Sequence, residues 1–203
     1  MLLHKGADVN AKNSSGVTPL QMTANQFRSD LSHDHAQVLD LLLQAKALID
    51  ERAGAVSRTA LHLAVVSGTA HAVKLLLDYG ANPRLADKNV NTAIMLAIKG
   101  AAKMTNDPEK IEDHVEIMNR LVKRLGPSWA QASNLNGWCA IEAACSGDIE
   151  LLCTLLVKGG LDPRSKFREG TVMEFARATG MTGVEKQIER YMDSEKATHM
   201  SVA

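Results

Sequence analysis

Residues 59–83 read TALHLAVVSGTAHAVKLLLDYGANP, and this stretch decides the fold. Thr59 stands where a hydroxyl caps a first helix, and Leu61 and Ala64 share one face of it at helical spacing. Gly68 ends that helix. Val73, Leu76 and Leu77 form an i, i+3, i+4 stripe on a second helix, and Gly80 sits where a left-handed C-cap is wanted. Each helix is short and apolar on one side, so neither buries its face alone. The stretch therefore predicts a helix–turn–helix unit that needs neighbours.

The neighbours are written in the same grammar. Gly16-Val17-Thr18-Pro19-Leu20 opens a unit closed by Val38, Leu41 and Leu42, with Pro19 at the first helical position, where its missing N–H costs nothing. Thr92-Ala93-Ile94-Met95-Leu96-Ala97 opens another, closed by Ile117, Leu121 and Leu125. Gly137-Trp138-Cys139-Ala140-Ile141-Glu142-Ala143-Ala144 opens a fourth, with Leu152, Leu155 and Leu156 behind it. Gly170-Thr171-Val172-Met173-Glu174-Phe175-Ala176 opens a degenerate last unit. Its second helix, about 183–192, carries Glu185, Lys186, Glu189 and Arg190, the polar outer face that a terminal cap requires.

These residues resemble the ankyrin repeat, whose recognisable core is T-P-L-H-x-A opening the first helix and a Leu-Leu…Gly-Ala-Asp closing the second. The match is strongest over 54–86, and residues 2–10, LLHKGADVN, reproduce the closing segment, so the chain is expected to start inside a repeat. Departures grow toward the C-terminus: Cys139-Ala140 replaces Thr-Pro, Glu142 replaces His, and Val172-Met173 replaces Pro-Leu. The resemblance implies an all-α ankyrin-repeat solenoid of helix–turn–helix units with β-turn or hairpin fingers, about five repeats including a partial N-terminal one. We expect a single domain over 1–192: a partial repeat at 1–12, then repeats at about 13–53, 54–86, 87–133, 134–165 and 166–192. A flexible tail is expected over 193–203.

Two insertions break the period. Thr59 to Leu75 is 16 positions and Thr18 to Leu41 is 23, which places extra residues at about 25–34. The third unit is longer still at about 101–113, where Asn106-Asp107-Pro108 signals a turn between two helices. Both insertions are candidate binding elements or neutral decoration.

Composition limits the function classes. Hydrophobic residues make up 45% of the 203 residues and aromatics only 3%, so the core is built from aliphatic side chains and Ala, as thin helical layers require. Lys plus Arg and Asp plus Glu both total 23, so no global field draws the chain to polyphosphate or an anionic membrane. No apolar run approaches the roughly 20 residues that span a bilayer, and no secretory signal is written at the N-terminus. The odd count of three cysteines, Cys139, Cys145 and Cys153, argues against a disulfide framework. An intracellular, cytoplasmic or nuclear setting is therefore expected.

No constellation of residues supports catalysis. His33-Asp34-His35 lacks an assignable third ligand and reads as a solvated loop. The cysteines lack C-x-x-C spacing, and Cys139 has no histidine partner. Lys158-Gly159-Gly160 lies at a helix end and lacks the phosphate-loop arrangement. The resemblance gives His62 a structural part, hydrogen-bonding backbone in neighbouring turns, and it marks Asn10 as similar to asparagines that are hydroxylated in the family, against the simpler reading of a turn-stabilising residue. No cofactor, metal or catalytic residue is expected.

The resemblance also implies where a partner sits: on the concave surface made by turn tips and first helices. The expected reading positions include Arg58, Lys88, Asn89, Asn91, Leu135, Asn136, Trp138, Phe167 and Arg168, with Ser14, Ser15, Val17, Ala55 and Val56 beside them. Trp138, Phe167 and Arg168 are of the types enriched at binding hot spots, and Trp138 packing beneath a neighbouring turn is the competing reading. The expected function is a non-catalytic scaffold or adaptor binding another protein, with no nucleic acid and no membrane insertion. The alternative is a regulatory or substrate-docking segment of a larger multidomain enzyme. Further upstream repeats, or self-association through the N-terminal edge, would cover Leu2 and Leu3.

Overall fold

The structure, a computed structural model, describes residues 6–25, 32–103, 108–126, 166–167, 170–183 and most of 185–193. Two compact units divide the chain at Leu125/Gly126. In the first, three helical pairs follow one another: α1 (Pro19–Asn25) with α2 (Ser32–Gln44), α3 (Ala60–Val66) with α4 (Ala70–Asp78), and α5 (Ala93–Lys103) with α6 (Pro108–Leu125). α1 packs on α3 and α3 on α5, forming one layer, while α2 packs on α4 and α4 on α6, forming a second. The second unit contributes a two-stranded antiparallel hairpin, β1 (Lys166–Phe167) with β2 (Gly170–Thr171), running into α7 (Val172–Ala178). Lys166 pairs with Thr171 and Phe167 with Gly170.

The core follows the stripes read from the sequence. Leu61, Ala64 and Val65 of α3 and Val73, Leu76 and Leu77 of α4 are buried, as are Ile94, Met95 and Ile98 of α5 and Ile117, Met118 and Leu121 of α6. Leu39, Leu42 and Leu43 are the buried face of α2, whereas Val38 and Leu41 point outward. That is a shift of the expected stripe by one position: Leu39, Leu42 and Leu43 stand 34 residues before the buried Val73, Leu76 and Leu77, so the buried face of α2 keeps the period of the repeat. Burying one such side chain is worth roughly 1.5–3 kcal/mol. The stacked layers therefore hold by apolar area, with helix ends tied by caps.

Gly80 behaves as expected. Its φ is +92°, and the amides of Gly80 and Ala81 reach back to the carbonyls of Leu77 and Leu76, closing the end of α4. Lys46 occupies the matching place after α2, with φ +61° and the same pair of bonds from Lys46 to Leu43 and Ala47 to Leu42. A lysine there accepts backbone strain that glycine avoids.

The described residues of the longer insertion, 101–103 and 108–113, are helical, and 104–107 fall outside the described part. α5 runs on to Lys103 and α6 begins at Pro108, a residue suited to a first helical turn. The shorter one lies partly in the early turns of α2, and residues 26–31 fall outside the described part. α6 closes tightly on the layer beneath. Buried His114 packs between Gly68 and Gly100, and a Cβ at Gly100 would lie 2.7 Å from His114 Nε2.

Candidate functional site

The finger before each first helix begins with backbone chemistry. In the first finger, Asn13 Oδ1 accepts the amides of Ser15 and Val17 at 3.0 and 2.9 Å. In the third, Asp87 Oδ1 accepts the amides of Asn89 and Asn91, both at 2.9 Å. Each is an Asx staple that folds the loop onto itself. The backbone closes in the same way in both, Asn13 N–H to Val17 carbonyl and Asp87 N–H to Asn91 carbonyl. The second finger has Ala53 at its base and holds instead by paired backbone bonds between Ala53 and Arg58. Gly16, Ser57 and Val90, each two residues before the threonine that precedes a first helix, all take positive φ. The finger tips are thus held in place before any ligand arrives.

Reciprocal caps then tie the first two fingers to their helices. Thr59 N–H donates to His62 Nδ1 at 3.2 Å, Thr59 Oγ1 lies 2.8 Å from that nitrogen, and His62 N–H returns to Thr59 Oγ1 at 3.4 Å. Thr18 and Gln21 repeat this, with Thr18 N–H donating to Gln21 Oε1 at 2.9 Å. Gln21 Nε2 goes further, donating to the carbonyls of Glu51 (2.7 Å) and Arg58 (3.2 Å) in the next finger. His62 faces the corresponding backbone of Leu85 and Asn91. Burial holds its pKa below the ordinary value, the charge of Asp87 and those two backbone groups pulling the other way. Thr171 and Glu174 make a third reciprocal cap at the start of α7. Only His62 was singled out from sequence. The spacing Thr-x-x-Gln and Thr-x-x-Glu was the signal for the other two.

Between the first two fingers and the helices α1 and α3 lies an open groove of about 350 Å³. Asn13, Ser15, Val17, Gly54, Ala55 and Val56 form its finger side, and Gln21, Met22, Asn25 and Leu63 its helix side, with Arg58 at the rim. Met22 is 42% exposed, a large apolar side chain on the face where a soluble helix would otherwise place polar groups. The groove offers apolar contact bordered by fixed backbone and amide groups, the make-up of a recognition surface.

The sequence-predicted reading positions divide. Arg58 is partly exposed at the groove rim, with Nε 3.5 Å from Asp87 Oδ2, an ionic contact without hydrogen-bond alignment. Lys88 and Asn89 are exposed at the third finger tip, where the Lys88 amide donates to the Val56 carbonyl at 2.8 Å and so links adjacent fingers. Asn91 corrects the expectation of exposure, because it is buried. Its amide nitrogen donates to Asp87 and its oxygen accepts from Lys99 Nζ at 2.6 Å. Asp87, with a fully buried side chain, is the hub of this network, and it was not singled out from sequence. Leu135, Asn136, Trp138 and Arg168 lie outside the described residues, as do the three cysteines. Phe167 is described only as backbone of β1. Asn10 accepts the Leu48 amide at 2.8 Å, and Asp50 accepts the Asn82 amide at 3.0 Å one repeat later, so the turn-stabilising geometry is present at both.

Among the described residues no group of histidine, cysteine and acidic side chains could hold a metal, and no helix is long and apolar enough to cross a membrane. Residues 29–106 match the family model for ankyrin repeats in three copies. The chain carries ankyrin repeats. The ankyrin repeat domain from Acinetobacter baumannii AYE has the same fold, with TM-score 0.69 at 19% identity over 94% of this chain and 89% of that one. Among curated proteins, an Arabidopsis thaliana protein, XBAT34, named as a candidate E3 ubiquitin-protein ligase, is 34% identical over 56% of this chain. The ankyrin repeat protein FPV031 of Fowlpox virus (strain NVSL) is 34% identical over 48%, and FPV232 of the same virus 30% identical over 43%. This ankyrin chain spans 28%, 27% and 17% of those three relatives. Ankyrin repeats are in general protein-interaction modules, and the groove lies on the face where fingers and first helices meet.

Proposed function

We propose that this chain is a non-catalytic protein-binding module that holds a partner in the groove between its first two fingers, α1 and α3. The observation that carries the reading is the exposed apolar side chain of Met22 in a groove whose walls are fixed by Asx staples and reciprocal caps. A pre-ordered surface loses little conformational entropy on association, so its contacts convert efficiently into affinity. Arg58, Lys88 and Asn89 supply the polar rim in this reading, while Asn91 supports the finger from below. Leu135, Asn136, Trp138, Phe167 and Arg168 remain proposed partner contacts on the strength of the repeat pattern alone.

Affinity capture followed by mass spectrometry tests this, using the intact chain beside two variants of matching circular dichroism and melting. One carries Met22→Glu and Val56→Glu; the other carries Trp138→Ala, Phe167→Ala and Arg168→Ala. A partner lost with the first variant supports the groove, and one lost only with the second moves the site to the C-terminal repeats. A partner list that neither variant changes refutes both placements.

The similarity to XBAT34 favours a second reading, in which the chain is the substrate-docking segment of a larger enzyme. Its test is whether partners captured by this chain are modified when a longer protein containing it is supplied with ubiquitin-transfer components. Partners left unmodified would count against it.

A further inference from the structure

A second cleft opens on the other layer, between α4 and α6. It measures about 420 Å³ and is lined by Lys74, Leu77, Asp78, Arg120, Lys123 and Arg124. Four cations thus surround one carboxylate over a buried leucine. Arg120 is paired with Glu116 one turn back. Among the described residues, no ion pair joins Lys74, Lys123 or Arg124 to an acid.

Helix electrostatics explains part of this. Lys123 and Arg124 stand in the last turn of α6, where positive charge complements the helix dipole. But that end is already served, because Arg84 Nη2 donates to the Leu125 carbonyl at 2.7 Å. Lys74 lies in the middle of α4, where the dipole has no claim on it. Like charges gathered in one cleft repel each other, and the chain as a whole is neutral, so the local excess is not a by-product of a basic protein.

We propose that the α4–α6 cleft binds a short acidic peptide segment of a protein partner, separately from the finger groove. Charge complementarity sets the sign of the ligand, and the Leu77 floor fits a peptide's apolar side chain better than a bare anion. Length sets its size. The basic residues of α6 span only roughly 6 Å from Arg120 to Arg124, and toward its start the helix turns acidic at Glu109, Glu112, Asp113 and Glu116. A nucleic-acid strand needs a longer positive track; a few carboxylates do not.

Fluorescence anisotropy with a short labelled peptide of Glu, Asp, Ser and Leu tests this on the intact chain. The same peptide with Gln and Asn in place of the acids, inorganic phosphate and a single-stranded oligothymidylate serve as comparisons. We expect the acidic peptide to bind and its amide counterpart not to, with affinity falling as ionic strength rises through the range where surface charges are screened. Lys74→Glu and Lys123→Glu should each weaken binding about tenfold, while the same charge change at Lys186 leaves it unaltered. Should a charge reversal lower the melting temperature, Lys74→Gln and Lys123→Gln give the same comparison with less strain. Equal binding by the amide peptide, tighter binding by the oligonucleotide, displacement by phosphate alone, or indifference to Lys74 and Lys123 substitution would each overturn the proposal. Because the finger groove lies on the other layer, its failure as a partner site would leave these results standing.

Discussion

His62 shows how one residue joins cap, packing and acid sensitivity. Its Nδ1 accepts the Thr59 amide, so in the neutral ring the proton resides on Nε2, facing the next finger. Burial lowers its pKa from 6.5. A proton therefore binds the unfolded chain more readily than the folded one, and stability falls as pH drops below about 6.5, by at most about 1.4 kcal/mol per pH unit for this one site. Gln21 performs the same capping without a titrating ring. His62→Gln should accordingly keep the neutral-pH stability within about 1 kcal/mol and flatten the loss between pH 7 and 5. Urea titrations of both proteins at the two pH values check this, and an unchanged acid loss in the variant would assign the sensitivity to other groups. His62 was legible in the sequence because T-A-L-H is a strong motif. Gln21 and Asp87 were not, since a glutamine or an aspartate in a loop has many solvated roles, and only the fold shows these two to be buried.

Elements were more legible than residues, because helix ends are written in local chemistry. Thr59, Pro19 and Gly80 marked their boundaries correctly, each through a backbone group that needs a partner or cannot have one. The third first helix departs from this. Met95 stands where His62 and Gln21 stand in their units, it offers no acceptor, and the buried Thr92 hydroxyl has no hydrogen-bond partner among the described residues. Here apolar burial of Ile94, Met95 and Ile98 substitutes for the cap. What no local rule foretold is the seat of α6. Gly100 interrupts α5 at a position where alanine would ordinarily add up to about 1 kcal/mol, yet a Cβ there would press on the His114 ring at 2.7 Å. Gly100→Ala should therefore destabilise by roughly 1–3 kcal/mol. In a His114→Ala background the same substitution should become neutral or stabilising. Thermal melts of the two single variants and the double variant close the cycle, and additive effects would show that the ring and the helix glycine do not press on each other.

At the scale of the first unit, stability is a nearest-neighbour property. α3 and α4 are packed on both sides, by α1 and α2 on one and by α5 and α6 on the other, and hydrogen bonds tie each repeat to its neighbour, as from Gln21 to the second finger, Asn82 to Asp50 and Tyr79 to Asp40. Periodicity made this arrangement readable, since a repeated apolar stripe implies stacking whatever the partner is. It could not reveal the α4–α6 cleft, whose cations lie some fifty residues apart and meet only through that stacking. A linear array of this kind opens from its less supported members. Native-state hydrogen exchange should then find the amides at the C-terminal end of α3, Leu63 to Val65, protected at least about tenfold more than those of Met22 to Ala24 in α1. Both sets hold the same place in their helices and end in a buried residue, Ala24 and Val65. Equal protection that tracks the global unfolding energy would mean that the repeats open as one block. A graded profile would place the finger groove, built from α1 and α3 together, at the boundary between the first repeat to open and the one that holds longest.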